Sequence, residues 1–153
     1  MKRILIIALF SFWLQAGFGQ GVYPYREIKL DKPADFKNAE PLVMSAANYV
    51  LSVPYVKTDN NRSAAASFLG NWVTGANEYH LRLPDIMMEV VDNRPLLDVF
   101  VAAMAKYCLE NKTLSSNPKI LEHGQVQYVL AYVNKPENNM PLKKKIRKRL
   151  EEN

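Results

Sequence analysis

Reactive side chains are few in this chain. The densest group lies in and just after one stretch, FLGNWVTGANEYHL, residues Phe68 to Leu81. Glu78 and His80 fall within it, and Asp85 follows shortly after. A carboxylate and an imidazole can act as acid and base in hydrolysis if the fold brings them to one pocket. Glu89 and Asp92 add further carboxylates, but acids recur in this way on the solvated faces of short helices, so the cluster reads first as polar surface. His80 and His123 each lack another His or Cys within a helical turn, so no zinc ligand set forms. No G-x-S-x-G elbow and no glycine-rich phosphate loop occurs. The expectation is a chain with no metal, no cofactor and no catalytic residues, and the hydrolytic reading around Glu78, His80 and Asp85 stands as the alternative.

The other charged constellation is the terminal PLKKKIRKRLEEN. On a helix over 140–151, Leu142, Ile146 and Leu150 make one stripe and Lys143, Lys144, Lys145, Arg147, Lys148 and Arg149 cover the rest. Such a surface suits an anionic partner, whether lipid headgroups or an acidic polymer. No aromatic residue interrupts the basic run, so specific nucleic-acid binding by base stacking is not expected. The plainer reading favoured here is that the stripe docks the helix while the cations solvate it. Cys108, in phase with Val101 and Met104, reads as a buried thiol. The sequons Asn61-Arg62-Ser63 and Asn111-Lys112-Thr113 read as ordinary helix-end residues.

These residues must be positioned by helices. Asn38 is the expected cap of a helix through Leu51, with Pro41 in its first turn. Asp59 caps a second helix, in which Ala65, Phe68, Leu69, Trp72 and Val73 keep i, i+3, i+4, i+7, i+8 spacing. Gly70 is expected to admit a close neighbour, and Gly75 to end the helix in a left-handed conformation. Tyr79, Leu81 and Leu83 then alternate as an extended connector returning to the core, with His80 outward. Ile86, Met87 and Val90 belong to a short helix. Pro95 opens a long one with Leu96, Leu97, Phe100, Val101, Met104, Tyr107 and Cys108 inward. Asn117 caps the next, which runs through Leu121, Val126, Tyr128, Val129, Tyr132 and Val133 to Pro136. The fold class is all-α: a bundle of five or six helices built from helical hairpins. Ala47–Leu51 (ANYVL) echoes Ala105–Leu109 (AKYCL) at an offset of 58, which the caps Asp59 and Asn117 share. A duplicated helix-loop-helix pair is one reading of this echo, and chance likeness between amphipathic helices is the other.

Residues 1–19 carry the marks of a cleavable export signal. Lys2 and Arg3 precede the apolar run Ile4–Leu14, and Gly17 and Gly19 sit at −3 and −1 of the cleavage point. The run is too short to span a bilayer, so no transmembrane segment is expected in the mature chain. The mature chain is then an extended lead-in over 20–34 and a single helical domain over 35–153, exported to the periplasm or the medium. Its one cysteine allows no internal disulfide, so packing must supply stability. The whole chain has 20 basic and 15 acidic residues. Without Lys2 and Arg3, and without the six basic and two acidic residues of 143–153, the body carries 12 basic against 13 acidic. The positive charge belongs to the terminal segment alone.

The succession ANYVLSVP, NRSAAASFLGNWVTGANEYHLRL and AMAKYCLENK, within Phe36 to Tyr132, resembles a group of small exported helical proteins of Bacteroidetes-type bacteria. The resemblance implies an exported helical fold and brings no functional residues with it. The favoured function is a binding or structural accessory, with a protein partner or envelope component as what it meets.

Overall fold

The computed structural model describes residues 25–79, 81, 83–112 and 117–152. The expected signal at 1–19 and His80 lie outside the described residues. Seven α-helices and two short 3-10 turns make up the regular structure, and no strand occurs among the described residues. The helices are α1 (Pro33–Asn38), α2 (Glu40–Ser52), α3 (Asn60–Gly75), α4 (Asp85–Glu89), α5 (Arg94–Glu110), α6 (Pro118–Val133) and α7 (Lys144–Glu151). The protein is an all-α bundle.

Its centre is α5. Leu96, Val99, Phe100, Ala102, Ala103, Met104, Ala105 and Cys108 are all buried, so the helix is covered on nearly every side. Three alanines on it let neighbouring helices approach closely. Helices α2 and α6 each pack along α5, α3 packs on both α2 and α5, and α2 scarcely meets α6. Asp59 caps α3 by accepting from the Arg62 N–H at 2.9 Å, and Asn117 caps α6 by accepting from Lys119 N–H at 3.1 Å, as the sequence leads one to expect.

The 58-residue echo extends well beyond five residues. Moved by 58 positions, Asn60–Gly75 becomes 118–133, the bounds of α6, and Ser52, the end of α2, becomes Glu110, the end of α5. The related residues Asn48 and Lys106 touch: the Lys106 ammonium donates to Asn48 Oδ1 at 2.7 Å. That contact is what a local two-fold axis between α2 and α5 would produce. The relation stops at the first helix of each hairpin. Ala46, Ala47 and Val50 share buried positions with Met104, Ala105 and Cys108, but the buried faces of α3 and α6 do not superpose.

Several local expectations give way to packing. Asn38 ends α1 rather than capping α2, because an earlier turn is nucleated: Pro33 occupies its first position and Asp35 Oδ2 accepts from the N–H groups of Asp31 and Lys32 at 3.1 and 2.9 Å. This turn also begins inside the stretch expected to be extended. Tyr25 anchors the lead-in, buried and stacked on Phe68 at 5.6 Å. Asn77–Tyr79 forms a 3-10 turn rather than an extended connector. Tyr79 does enter the core, where its ring lies 5.2 Å from that of Trp72; Leu81 is half-buried, but Leu83 is 45% exposed.

The glycines also exchange roles. Gly70 faces open space, and no described glycine has a positive φ, so Gly75 does not stop α3 by a left-handed turn. A Cβ on Gly75 would sit 2.4 Å from the Phe36 ring, and one on Gly124 would sit 2.1 Å from the Tyr107 ring. Both glycines make room for an aromatic ring. The last helix starts at Lys144, not Met140. Asn139 takes the left-handed conformation with φ 46, and Lys143–Lys145 at the helix start oppose the helix dipole. The stripe docks as expected, with Ile146 and Leu150 buried and Leu142 half-buried.

Candidate functional site

The residues singled out for hydrolysis do not form a recognisable site among the described residues. Glu78 is exposed and lines a groove of about 300 Å³ with Leu30, Pro33 and Phe36. Asp85, exposed at the start of α4, is not part of that groove. Among the described residues no cluster of three or more His, Cys, Asp or Glu could hold a metal. Cys108 is buried, and His123 lies on the exposed side of α6.

The basic residues of α7 are partly tied down. Lys145 meets Glu89 of α4 at 3.3 Å and Arg149 pairs with the same carboxylate. Arg147 donates to Asn134 Oδ1 at 2.8 Å and lies 3.6 Å from Glu151, while Lys148 lies 3.5 Å from Glu152. Lys143 and Lys144 are exposed and form no ion pair among the described residues.

A different group has the features of a site, and its centre is Arg62. This arginine is 2% exposed, yet no carboxylate pairs with it among the described residues and its Nε has no hydrogen-bond partner. A desolvated charge with no carboxylate in direct contact costs several kcal/mol, and Asp98 acts on it only at longer range. What surrounds it offsets part of that cost. The guanidinium carbon lies 5.3 Å from the Tyr55 ring centre and 5.9 Å from that of Tyr132, a cation held between two aromatic faces. Its Nη2 donates weakly, at 3.5 Å, to the Tyr132 hydroxyl, which itself donates to the Val53 carbonyl at 2.9 Å. Burial raises the Tyr132 pKa, with the charge and hydrogen bond of Arg62 pulling the other way, so the hydroxyl stays a neutral donor.

Arg62 helps line a cleft of about 220 Å³ between the α2–α3 loop, α3 and the start of α5. Lys57 and Arg94 stand at the same cleft, with the Ser63 and Ser67 hydroxyls one helical turn apart on α3. Two carboxylates are present and both are engaged. Asp59 caps α3 through Oδ1 and accepts from the Tyr49 hydroxyl at 3.2 Å through Oδ2. Asp98 accepts from Arg94 Nε at 2.9 Å. Burial nevertheless pushes the Asp98 pKa above its ordinary range, outweighing the lowering effect of Arg94 and Arg62. Three cations against two committed carboxylates leave the cleft with an unspent positive charge, and two hydroxyls stand ready to donate.

The sequence carried a signal for this residue that the amphipathic reading passed over. Arg62, Ala65, Leu69 and Trp72 lie on one helical stripe, so an arginine sits in phase with the core. Reading the Asn61-Arg62-Ser63 triplet as an ordinary helix end hid it.

No family model, no curated protein and no solved structure matches this chain.

Proposed function

We propose that this is an exported accessory protein that binds a small oxyanion, such as the carboxylate, sulfate or phosphate group of a ligand, in the Arg62 cleft. The observation that carries the reading is the buried guanidinium with no carboxylate partner, set in a cleft whose own acids are already engaged. An oxyanion entering there would supply the direct ion-pair partner that Arg62 lacks among the described residues, and Arg94, Lys57, Ser63 and Ser67 provide the surrounding donors. Export rests on the positive, apolar and small-residue succession of residues 1–19. We read the role as binding rather than turnover, because Asp59 and Asp98, the carboxylates that could serve as a base, are held by the α3 cap and by Arg94, which leaves Ser63 and Ser67 as donors. The resemblance to small exported helical proteins agrees with this role and adds no residues to it.

The test is thermal unfolding with and without acetate, sulfate and phosphate at matched ionic strength. A ligand at a hundredfold excess over its Kd stabilises by about 2.7 kcal/mol, several degrees in Tm for a domain of this size. Arg62→Met should abolish that increment while leaving the free protein as stable as before or more so, since an apolar isostere removes an unpaired buried charge. A free protein stabilised by no oxyanion, or an increment unchanged in the variant, would sink the proposal.

A further inference from the structure

We infer that α4 and α7 together form a docking face for an anionic lipid bilayer, separate from the Arg62 cleft and independent of it. Large exposed apolar side chains concentrate in one segment: Leu83, Met88 (65% exposed) and Val91 (50% exposed) lie on and around α4. α7 lies against this segment, because Glu89, next to Met88 in the chain, pairs with both Lys145 and Arg149. Buried Ile146 and Leu150 fix α7 to the bundle. The basic helix is therefore no loose tail; it holds its cations at set positions beside exposed apolar groups.

The charge balance of that face favours an anionic partner. On α7 itself Lys143, Lys144, Lys145, Arg147, Lys148 and Arg149 outnumber Glu151 and Glu152, and with Asp85, Glu89 and Asp92 of the α4 segment one positive charge remains, gathered on α7 where Lys143 and Lys144 form no ion pair among the described residues. A purely solvated face has no use for Met88 and Val91 in water. A soluble polyanion would be held by the cations alone and would leave them equally exposed. A bilayer surface uses both features: cations attract the headgroups while apolar tips enter the acyl boundary. No helix among the described residues is long and apolar enough to cross a membrane, so the contact is peripheral.

Co-sedimentation of the full chain with phosphatidylglycerol/phosphatidylcholine vesicles tests this, with pure phosphatidylcholine vesicles as the baseline for the apolar leader. The readout is the ratio of binding to the two. The ratio should exceed ten at low salt and fall towards one at high salt. Each lysine near an anionic surface contributes about a fivefold factor, so K143E/K144E/K148E should lower the ratio by about a hundredfold or to the baseline. M88S/V91S, at exposed positions and with its fold checked by circular dichroism, should lower anionic-vesicle binding several-fold with the salt dependence retained. A ratio of one for the unaltered chain would overturn the proposal. So would M88S/V91S binding as well as the parent, or retention on heparin without any preference for anionic vesicles.

Discussion

In the hairpins α2–α3 and α5–α6 the first helices end at matching positions, the connecting lengths are equal and the second helices match at both ends, yet only the first hairpin contributes the centre of a cleft. At the position of buried Arg62, the second hairpin has Ile120, which is 36% exposed. The difference lies in how the second helix of each hairpin is rotated. Arg62, Ala65, Leu69 and Trp72 face the core on α3. The buried residues Leu121, Gln125, Val129 and Tyr132 of α6, carried back 58 positions, fall on 63, 67, 71 and 74. A shift of one to two residues is a turn of about 100° or more on an α-helix. It arises because α3 packs against both α2 and α5, while α6 packs mainly against α5. The carboxylates show a parallel contrast. Glu40 and Asp98 share the offset, and burial acts to raise both. Hydrogen bonds from Lys112 and Tyr79, with the nearby charges of Lys112 and Lys37, nevertheless hold Glu40 below its ordinary range. Among the described residues Asp98 pairs with Arg94 alone, and it remains above its own. Matching helix ends do not carry over a site; the neighbours of each face decide it.

The comparison can be broken at its structural corner. Trp72 is fully buried, lies against Tyr79, and donates from its indole N–H to the Phe36 carbonyl at 2.9 Å. Trp72→Ala should cost about 3–5 kcal/mol in urea unfolding. A loss below about 1 kcal/mol would mean that the first hairpin is not built around this side chain.

A smaller effect should separate two glycines of the paired helices. Gly124→Ala should destabilise by about 1–2 kcal/mol, because the Tyr107 ring must leave its place. Gly70→Ala, with open space around it, should instead stabilise by about 0.5–1 kcal/mol. Equal effects at both sites would remove the assigned difference in packing.

The smallest effect concerns the acid at the cleft. With its folded pKa raised by burial above its unfolded value, Asp98 binds its proton more tightly in the native chain than in the unfolded one. Its contribution to stability is therefore fully present below that value and is lost as pH rises through the folded pKa. Protonation also removes a negative charge near Arg62 and Arg94, so affinity for sulfate, which stays ionised in this window, should rise as pH falls through it. Titration calorimetry of Asp98→Asn should show a flattened pH profile with the tighter affinity retained. A parent profile that falls on acidification would reverse the assignment.

Much of the fold was legible because helices announce themselves locally. Asp59, Asn93 and Asn117 cap helices through their own side chains, and Pro95 and Pro118 sit where a helix can start. The apolar stripes of α3, α5 and α7 follow the helical repeat, and the core positions of Trp72, Cys108 and Leu150 came with them. The cleft was not legible, because Arg62 joins Tyr55, Arg94, Asp98 and Tyr132, residues brought together by packing between hairpins and not by spacing. The roles of the glycines were hidden for the same reason: the Phe36 ring reaches Gly75 and the Tyr107 ring reaches Gly124 only once the bundle is assembled.

The sequence by itself determined the class of fold, the helix register and the uneven charge of the chain, since capping, periodicity and charge are properties of neighbours along it. Tertiary structure alone decided which polar residue would be buried without a counter-ion, and that α7 would lie beside exposed Met88 and Val91. Burial and ion pairing depend on side chains far apart in sequence, and a rotation of one helix by a single residue is enough to change which of them meet.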